Sequence, residues 1–310
     1  MNILKNWTLP IAMLVGALGY KVMDYLSFIT PYLIFTMLLL TFSKISLRDL
    51  RPRLSHLYLL AIEIVGAIAV YFLIAPFDPI VAQGIMVCII CPTATAAAVV
   101  TGKLGGNVAS ITTYTLLCNI AVAFVIPALF PIITTGTIYP SPILEGTPEI
   151  EGSSFLIPHS SFLILQRIFP LLICPFLLAQ LIRWLLPKIN TKLSSISGLA
   201  FYMWAIALTI AMGMTVRSLI EEPTDLHTLI LLSVGSLIAC LFQFFTGKAI
   251  GKSTNDTIAC GQSLGQKNTI LAIWICAAYL NPVTALAPGL YVIWQNIFNS
   301  TQLYLARKKQ

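Results

Sequence analysis

Long apolar stretches, each close to the length of a membrane-spanning helix, follow one another along almost the whole sequence. A helix needs about 20 consecutive apolar residues to cross the hydrocarbon core of a bilayer. The chain has 310 residues, of which 58% are hydrophobic and 9% charged, whereas a soluble domain carries about 25% charged residues. So few charges cannot cover the surface of a soluble fold, which excludes a soluble enzyme. The predicted fold class is an all-α polytopic membrane protein.

Ten apolar segments are predicted to cross the membrane. Internal Gly and Pro in such long apolar runs favour helices over the alternating strands of a membrane barrel. The stretch 134–160 carries several prolines and is predicted to be an extracytoplasmic loop. The ten segments are 9–28, 31–45, 56–75, 79–100, 108–133, 161–186, 195–216, 226–250, 257–280 and 283–306.

The basic residues predict the sidedness of the chain. Most of the 18 Lys and Arg residues lie at alternate ends of the segments, as in the run Arg48, Arg51 and Arg53. Cytoplasmic loops carry the excess of Lys and Arg, so both termini are predicted to be cytoplasmic. The net charge of +7 then reflects topology and not a nucleic-acid partner. The expected partner is the lipid bilayer, and no oligomeric state is predicted.

Two halves of five segments flank the loop at 134–160. An odd number of spans per half places the second half in the opposite orientation, which is the layout of an inverted repeat. The predicted division is residues 1–133 for the first repeat, 134–160 for the loop and 161–310 for the second repeat.

The fourth and ninth segments occupy equivalent places in the two halves and have unusual compositions. The fourth contains CPTATAAAVVTGKLGGN, and the ninth contains ACGQSLGQKNTILA. Both are predicted to be interrupted helices that form a binding site, because freed backbone N–H and C=O groups must face protein or water. The alternative is that the small residues only allow close helix packing.

Two ionisable residues, Glu63 and Lys267, fall deep inside predicted spans. Each costs about 2.5–3.5 kcal/mol at the centre of an isolated membrane helix, so the opposite signs indicate that they pair or face water. The alternative for Lys267 is snorkelling, although both interfaces are far along the chain. Glu63 lies closer to the start of its span, and headgroups are a second possible partner.

Three stretches carry a resemblance to a known family: CPTATAAAVVTGKLGGNVASITTYTL, GQSLGQKNTILA and PGLYVIWQNI. They resemble the bile acid:sodium symporter family, which includes bile acid transporters and their bacterial homologues. The resemblance implies a bacterial inner-membrane protein. It also implies a core domain of segments 3–5 and 8–10 and a panel domain of segments 1, 2, 6 and 7, with segments 4 and 9 broken and crossing.

The resemblance also implies which residues contact substrate. Thr95, Asn268 and Asn296 match substrate-contacting positions, and Gln295 replaces the usual His of the family. Thr112 and Asn119 in the fifth segment either line the same cavity or form interhelical hydrogen bonds.

The cation positions of the family are altered in this sequence. Ala97 and Ala98 replace an adjacent Ser and Asn, Ile111 replaces a Ser, and Thr115 keeps a hydroxyl. The remaining ion-site equivalents lie in the ninth and third segments. In the ninth, Ser263 replaces an acidic ligand and Lys267 replaces a sodium-binding Gln, with Gln266 directly before it. In the third, Glu63 replaces a Gln. Sodium needs several hard oxygen ligands, so its binding is doubted here, and no other cofactor or metal is expected. The hypothesis is that a Glu63–Lys267 ion pair replaces one sodium ion, and proton coupling through Lys267 is a variant of it.

The predicted function is a secondary transporter of small or amphipathic organic anions, bile-acid-like by resemblance, that works by alternating access. The alternatives are a conventional sodium symporter with relocated ligands and a ligand sensor that moves no substrate. No nucleophile–base pair or metal-binding motif is visible in the sequence, so an enzyme is not predicted. The 7 cysteines all lie in apolar segments and are expected to be buried, reduced hydrophobes.

Overall fold

The computed structural model describes residues 2–134, 156–222 and 224–308, so most of the predicted loop 134–160 lies outside it. Over these ranges the chain is helical and forms no strand. The helices are α1 (Asn2–Leu18), α2 (Tyr20–Tyr25), α3 (Thr30–Phe42), α4 (Leu54–Ile74), α5 (Pro79–Ile90), α6 (Ala97–Lys103), α7 (Val108–Ile133), α8 (Leu156–Leu185), α9 (Pro187–Ser195), α10 (Leu199–Glu221), α11 (Leu226–Ser253), α12 (Thr257–Gly265), α13 (Thr269–Tyr279) and α14 (Leu286–Lys308).

Five helices in the described ranges are long and apolar enough to cross a membrane: α4, α7, α8 from Ser161 onwards, α10 and α11. Shorter apolar helices include α5 and α13. The all-helical, multi-pass class expected from the sequence is therefore supported. The ten crossings and the inverted repeat stay predictions, because several predicted segments do not form one long helix.

The fourth and ninth predicted segments are each divided into two helices. The fourth becomes α5 and α6 with residues 91–96 between them, and the ninth becomes α12 and α13 with residues 266–268 between them. Pro92 follows α5 and has no N–H to continue a helical ladder. Beyond α6 the chain turns at Gly105, whose φ of 79° is accessible to glycine without strain.

The chain packs as two compact units. The first comprises Met1–Lys44, Ala123–Pro223 and Ile273–Ala285. Here α10 packs against α1, α2 and α3, and α3 also packs against α8. Gly213 allows the close approach of α10 to Met23, because a Cβ there would lie 2.3 Å from the Met23 Cβ. Arg217 of α10 pairs with Asp24 across this contact.

The second unit comprises Ile45–Val122, Thr224–Ala272 and Leu286–Gln310. In it α11 packs against α4, α5, α12 and α14, and α12 packs against α4 and α6. The contact between α11 and α12 is backbone to backbone, since a Cβ on Gly247 would lie 2.3 Å from the Cys260 carbonyl oxygen. This close packing fixes the first half of the interrupted ninth segment.

Gly247→Ala is expected to destabilise the protein by about 1–3 kcal/mol, because the added methyl group forces α11 and α12 apart. Gly66→Ala in α4 is the matched control, since a Cβ at Gly66 meets no atom within 4 Å. The control should keep or slightly raise the thermal unfolding midpoint in detergent, because Ala favours a helix over Gly. Equal midpoints for the two variants would contradict the close packing.

Candidate functional site

The two interruptions of the second unit face each other and satisfy each other's backbone groups. The Ala94 N–H donates to the Gln266 carbonyl at 2.8 Å, and the Asn268 N–H donates to the Pro92 carbonyl at 2.8 Å. A short antiparallel bridge lies between them. We call the pair of segments 91–96 and 266–268 the crossover. Lipid offers no hydrogen bonds to the free backbone N–H and C=O groups of an interrupted helix, and here the other interrupted helix supplies them.

Two side-chain hydroxyls donate hydrogen bonds to further carbonyl groups at the end of α12. The Thr93 hydroxyl donates to the Ser263 carbonyl at 2.6 Å. The Tyr291 hydroxyl donates to the Gly265 carbonyl at 2.9 Å. Both hydroxyls are buried, so these bonds form in a region that excludes water and they hold the crossover in one geometry.

Lys267 lies in the middle of the crossover. Its backbone N–H donates to Gln295 Oε1 at 2.9 Å, and its Nζ lies 3.0 Å from Glu63 Oε1. Both side chains of the pair are 0% exposed. The distance is that of an ion pair, although the angles at Nζ do not make a hydrogen bond with any described atom. The structure therefore brings together the two intramembrane charges that the sequence singled out.

Glu63 also accepts from two neutral donors on α7. The Tyr114 hydroxyl lies 2.5 Å from Oε2, and the Cys118 thiol lies 3.0 Å from Oε1. Tyr114 and Cys118 are four residues apart, so one face of α7 carries both. The carboxylate thus has partners on both oxygens, and Glu63 with Lys267 carries no net charge.

The sequence analysis did not identify Tyr114 or Cys118 as site residues. Cys118 was expected to be a buried, reduced hydrophobe, and it is free and buried. In addition, its thiol donates a hydrogen bond to the buried Glu63 carboxylate. Their spacing of four residues in a helix that also carries Thr115 and Asn119 is the signal that could have identified them.

Three residues that the resemblance places at a cation position, Ala97, Ala98 and Ile111, lie in an apolar cluster with Ala259. Ala97, Ile111 and Ala259 pack together, with Ala98 against them. The side chains of these four residues have no oxygen atom. The Thr115 hydroxyl donates to the Ile111 carbonyl at 2.9 Å, so it is engaged within its own helix.

The predicted substrate residues lie in several different settings. Gln295 contacts the crossover directly, as described for Lys267. Asn268 Oδ1 accepts from the Leu271 N–H at 3.3 Å and so caps the start of α13. Thr95, within the first interruption, and Thr112, on α7, are half-buried.

Two predicted amide side chains bond within their own helices. Asn296 Nδ2 donates to the Val292 carbonyl at 2.6 Å. Asn119 Nδ2 donates to the Thr115 carbonyl at 2.7 Å. These two hydrogen bonds do not connect either residue to the crossover. The Asn119 bond lies within α7 and is not the interhelical bond that the sequence allowed.

A match to a family model identifies the protein family of this chain. The model of the SBF-like CPA transporter family matches residues 46–307. The chain belongs to this family. The resemblance to the bile acid:sodium symporters is confirmed by this match, and the protein is a multi-pass membrane protein of a transporter family. No curated protein matches the sequence.

Breaking the Glu63–Lys267 pair on one side is expected to destabilise the protein by about 3–5 kcal/mol, because it leaves a buried charge without a partner. Glu63→Gln and Lys267→Met should each lower the thermal unfolding midpoint in detergent. The double variant should recover part of that loss, since it removes both charges.

Lys188→Met is the matched control, because Lys188 lies exposed on α9. Its midpoint should stay close to that of the wild type. Additive losses in the double variant would contradict an energetic coupling between Glu63 and Lys267.

Proposed function

We propose that this protein is a secondary transporter that moves a small or amphipathic organic anion by alternating access without sodium coupling. The observation that carries the proposal is the Lys267 ammonium, 3.0 Å from Glu63, at the crossing of two interrupted helices. In the related symporters, as the resemblance implies, a sodium ion lies where this ammonium now stands.

Electrostatic repulsion argues against a sodium ion at this position. Two like unit charges about 4 Å apart repel by about 4 kcal/mol at an effective dielectric constant of 20. A sodium ion beside Lys267 Nζ would meet this repulsion, and Glu63 already balances the ammonium. The side chain therefore supplies the positive charge without a bound ion.

The apolar cluster argues against sodium at the other position. Sodium, like other hard cations, is held by several oxygen ligands, and Ala97, Ala98 and Ile111 contribute none from their side chains. Removing water from a cation without replacing its ligands is strongly unfavourable. Both cation positions implied by the resemblance are thus unsuited to sodium, for two different physical reasons.

An anionic substrate fits the partial charge at the crossover. Lys267 is fully buried and paired with Glu63, so the pair itself adds no net charge. The helix α13 begins two residues after Lys267, at Thr269, and a helix N-terminus carries a partial positive charge. A carboxylate or sulfonate near the crossover would meet this partial charge, with Thr95 and Asn268 as neighbouring polar groups.

Uptake of labelled cholate into proteoliposomes tests the proposal. Sodium, potassium and pH gradients are compared side by side, with protein-free liposomes as the background. Uptake should be the same in sodium and in potassium, because no cation site depends on sodium. A response to the pH gradient would identify a proton as the coupled ion, with Glu63 or Lys267 as its carrier.

Two outcomes would overturn the proposal. Uptake that requires sodium would show a conventional symporter whose ligands lie elsewhere. Saturable binding of cholate to the detergent-solubilised protein without uptake would show a sensor on a transporter fold.

Lys267→Gln tests the role of the ammonium itself. Uptake in potassium should fall at least about tenfold, because Glu63 is left as an unbalanced buried charge. Sodium or acid should restore part of the uptake, since either can neutralise the carboxylate. Lys188→Gln, which removes an exposed charge, should leave uptake unchanged. Full activity of Lys267→Gln in potassium would contradict the built-in cation.

A further inference from the structure

Three arginines line one surface cavity of the second unit. The cavity has a volume of about 390 Å³, and its walls are Arg48, Arg51, Arg53, Asn107 and Ala109. It is an open surface depression and not an enclosed pocket. The sequence analysis used these arginines only as a sign of sidedness, and the proposed transport mechanism does not use them.

Hydrogen bonds fix the wall that carries the arginines. The Arg51 N–H donates to Thr113 Oγ1 on α7 at 3.0 Å. The Arg53 N–H donates to His56 Nδ1 at 3.3 Å, and His56 Nε2 lies 2.9 Å from the Ser110 hydroxyl. The backbone that bears the arginines is therefore held against the start of α7.

The cavity has an excess of positive charge. Arg53 Nη1 lies 3.4 Å from Asp256 Oδ2, and the Asp256 side chain is 2% exposed. Neither Arg48 nor Arg51 forms an ion pair with the side chains that the structure describes, and both are exposed. One of the three guanidinium groups is balanced in this way, and two are left to face the cavity and solvent.

The N-terminus of α7 adds to this charge. Asn107 Oδ1 accepts from the Ser110 N–H at 3.1 Å and caps the helix. The first backbone N–H groups of a helix have no partner within it, and Asn107 and Ala109, at the start of α7, line the cavity. A helix of 26 residues presents a partial positive charge there, which favours anions.

We propose that this cavity binds a phosphate group, either of an anionic lipid headgroup or of a free phosphate-bearing solute. Guanidinium groups bind phosphate oxygens through paired N–H donors, and a helix N-terminus offers further N–H groups. If the arginine-bearing ends are cytoplasmic, as their distribution predicts, the cavity lies where both sources are available. A basic pocket beside membrane helices is typical of anionic headgroup sites.

The double variant Arg48→Gln with Arg51→Gln tests the site in the full-length protein in detergent. Arg53 is left intact because it pairs with Asp256. The control is Lys188→Gln with Lys192→Gln, which removes the same charge from exposed positions on α9. The single variant Arg48→Gln replaces the double variant if the latter does not reach the wild-type unfolding midpoint in chloride.

Two probes distinguish the sources of phosphate by the rise in unfolding midpoint that each causes. One is inorganic phosphate, measured against chloride at matched ionic strength. The other is mixed micelles with phosphatidylglycerol, measured against phosphatidylcholine. Wild type and control should bind at least one probe. The affinity of the arginine variant for that probe should be at least about tenfold lower.

The response to the two probes decides the outcome. If the arginine variant loses the response to inorganic phosphate, a soluble ligand is supported. If it loses only the response to phosphatidylglycerol, a lipid headgroup is supported. No response of the wild type to either probe would overturn the site, and so would an equal loss in the lysine control. Neither result bears on cholate uptake, so this site and the proposed transport can fail separately.

Discussion

The crossover depends on one constraint, which is that a broken backbone within a membrane must find its hydrogen-bond partners inside the protein. Either interruption alone would leave N–H and C=O groups exposed to lipid. Together, residues 91–96 and 266–268 supply donors and acceptors to each other, and Tyr291 and Gln295 supply others from α14. The site is therefore a consequence of two helices that are each unstable as continuous spans. Gly247 allows α11 to pack closely against α12, the helix that leads into residues 266–268.

An ammonium on a side chain differs from a bound sodium ion in a way that bears on energy coupling. A bound ion enters from one side of the membrane and leaves on the other, so its gradient can drive transport. Lys267 cannot leave, so in the proposed transporter its charge would stay at the crossover throughout the cycle. With Glu63 it forms a neutral pair, which avoids most of the cost of placing a net charge in the membrane. A transporter of the proposed kind would work downhill or couple to an ion other than sodium.

The sequence predicted the parts of this site that chemistry makes conspicuous. Glu63 and Lys267 are identifiable because charges in apolar segments are costly, and the interruption after α5 is identifiable from Pro92 and the small residues that follow. Tyr114 and Cys118 were missed, because a tyrosine and a cysteine in an apolar helix are ordinarily core residues. Asn119 and Asn296 show what residue type leaves open. Their amides suggest ligands, and in the structure each Nδ2 donates to a carbonyl group of its own helix, so their contact with a substrate stays a prediction.

The arginines near α4 show how one sequence feature can satisfy two requirements. Orientation in the membrane depends on how many Lys and Arg residues a short loop carries, and not on where their side chains point. A sidedness signal is therefore satisfied by exposed lysines such as those of α9. Arg48, Arg51 and Arg53 instead share one cavity with the capped N-terminus of α7, on a backbone fixed by Thr113 and His56. Sidedness requires none of this arrangement, whereas the proposed phosphate site depends on it.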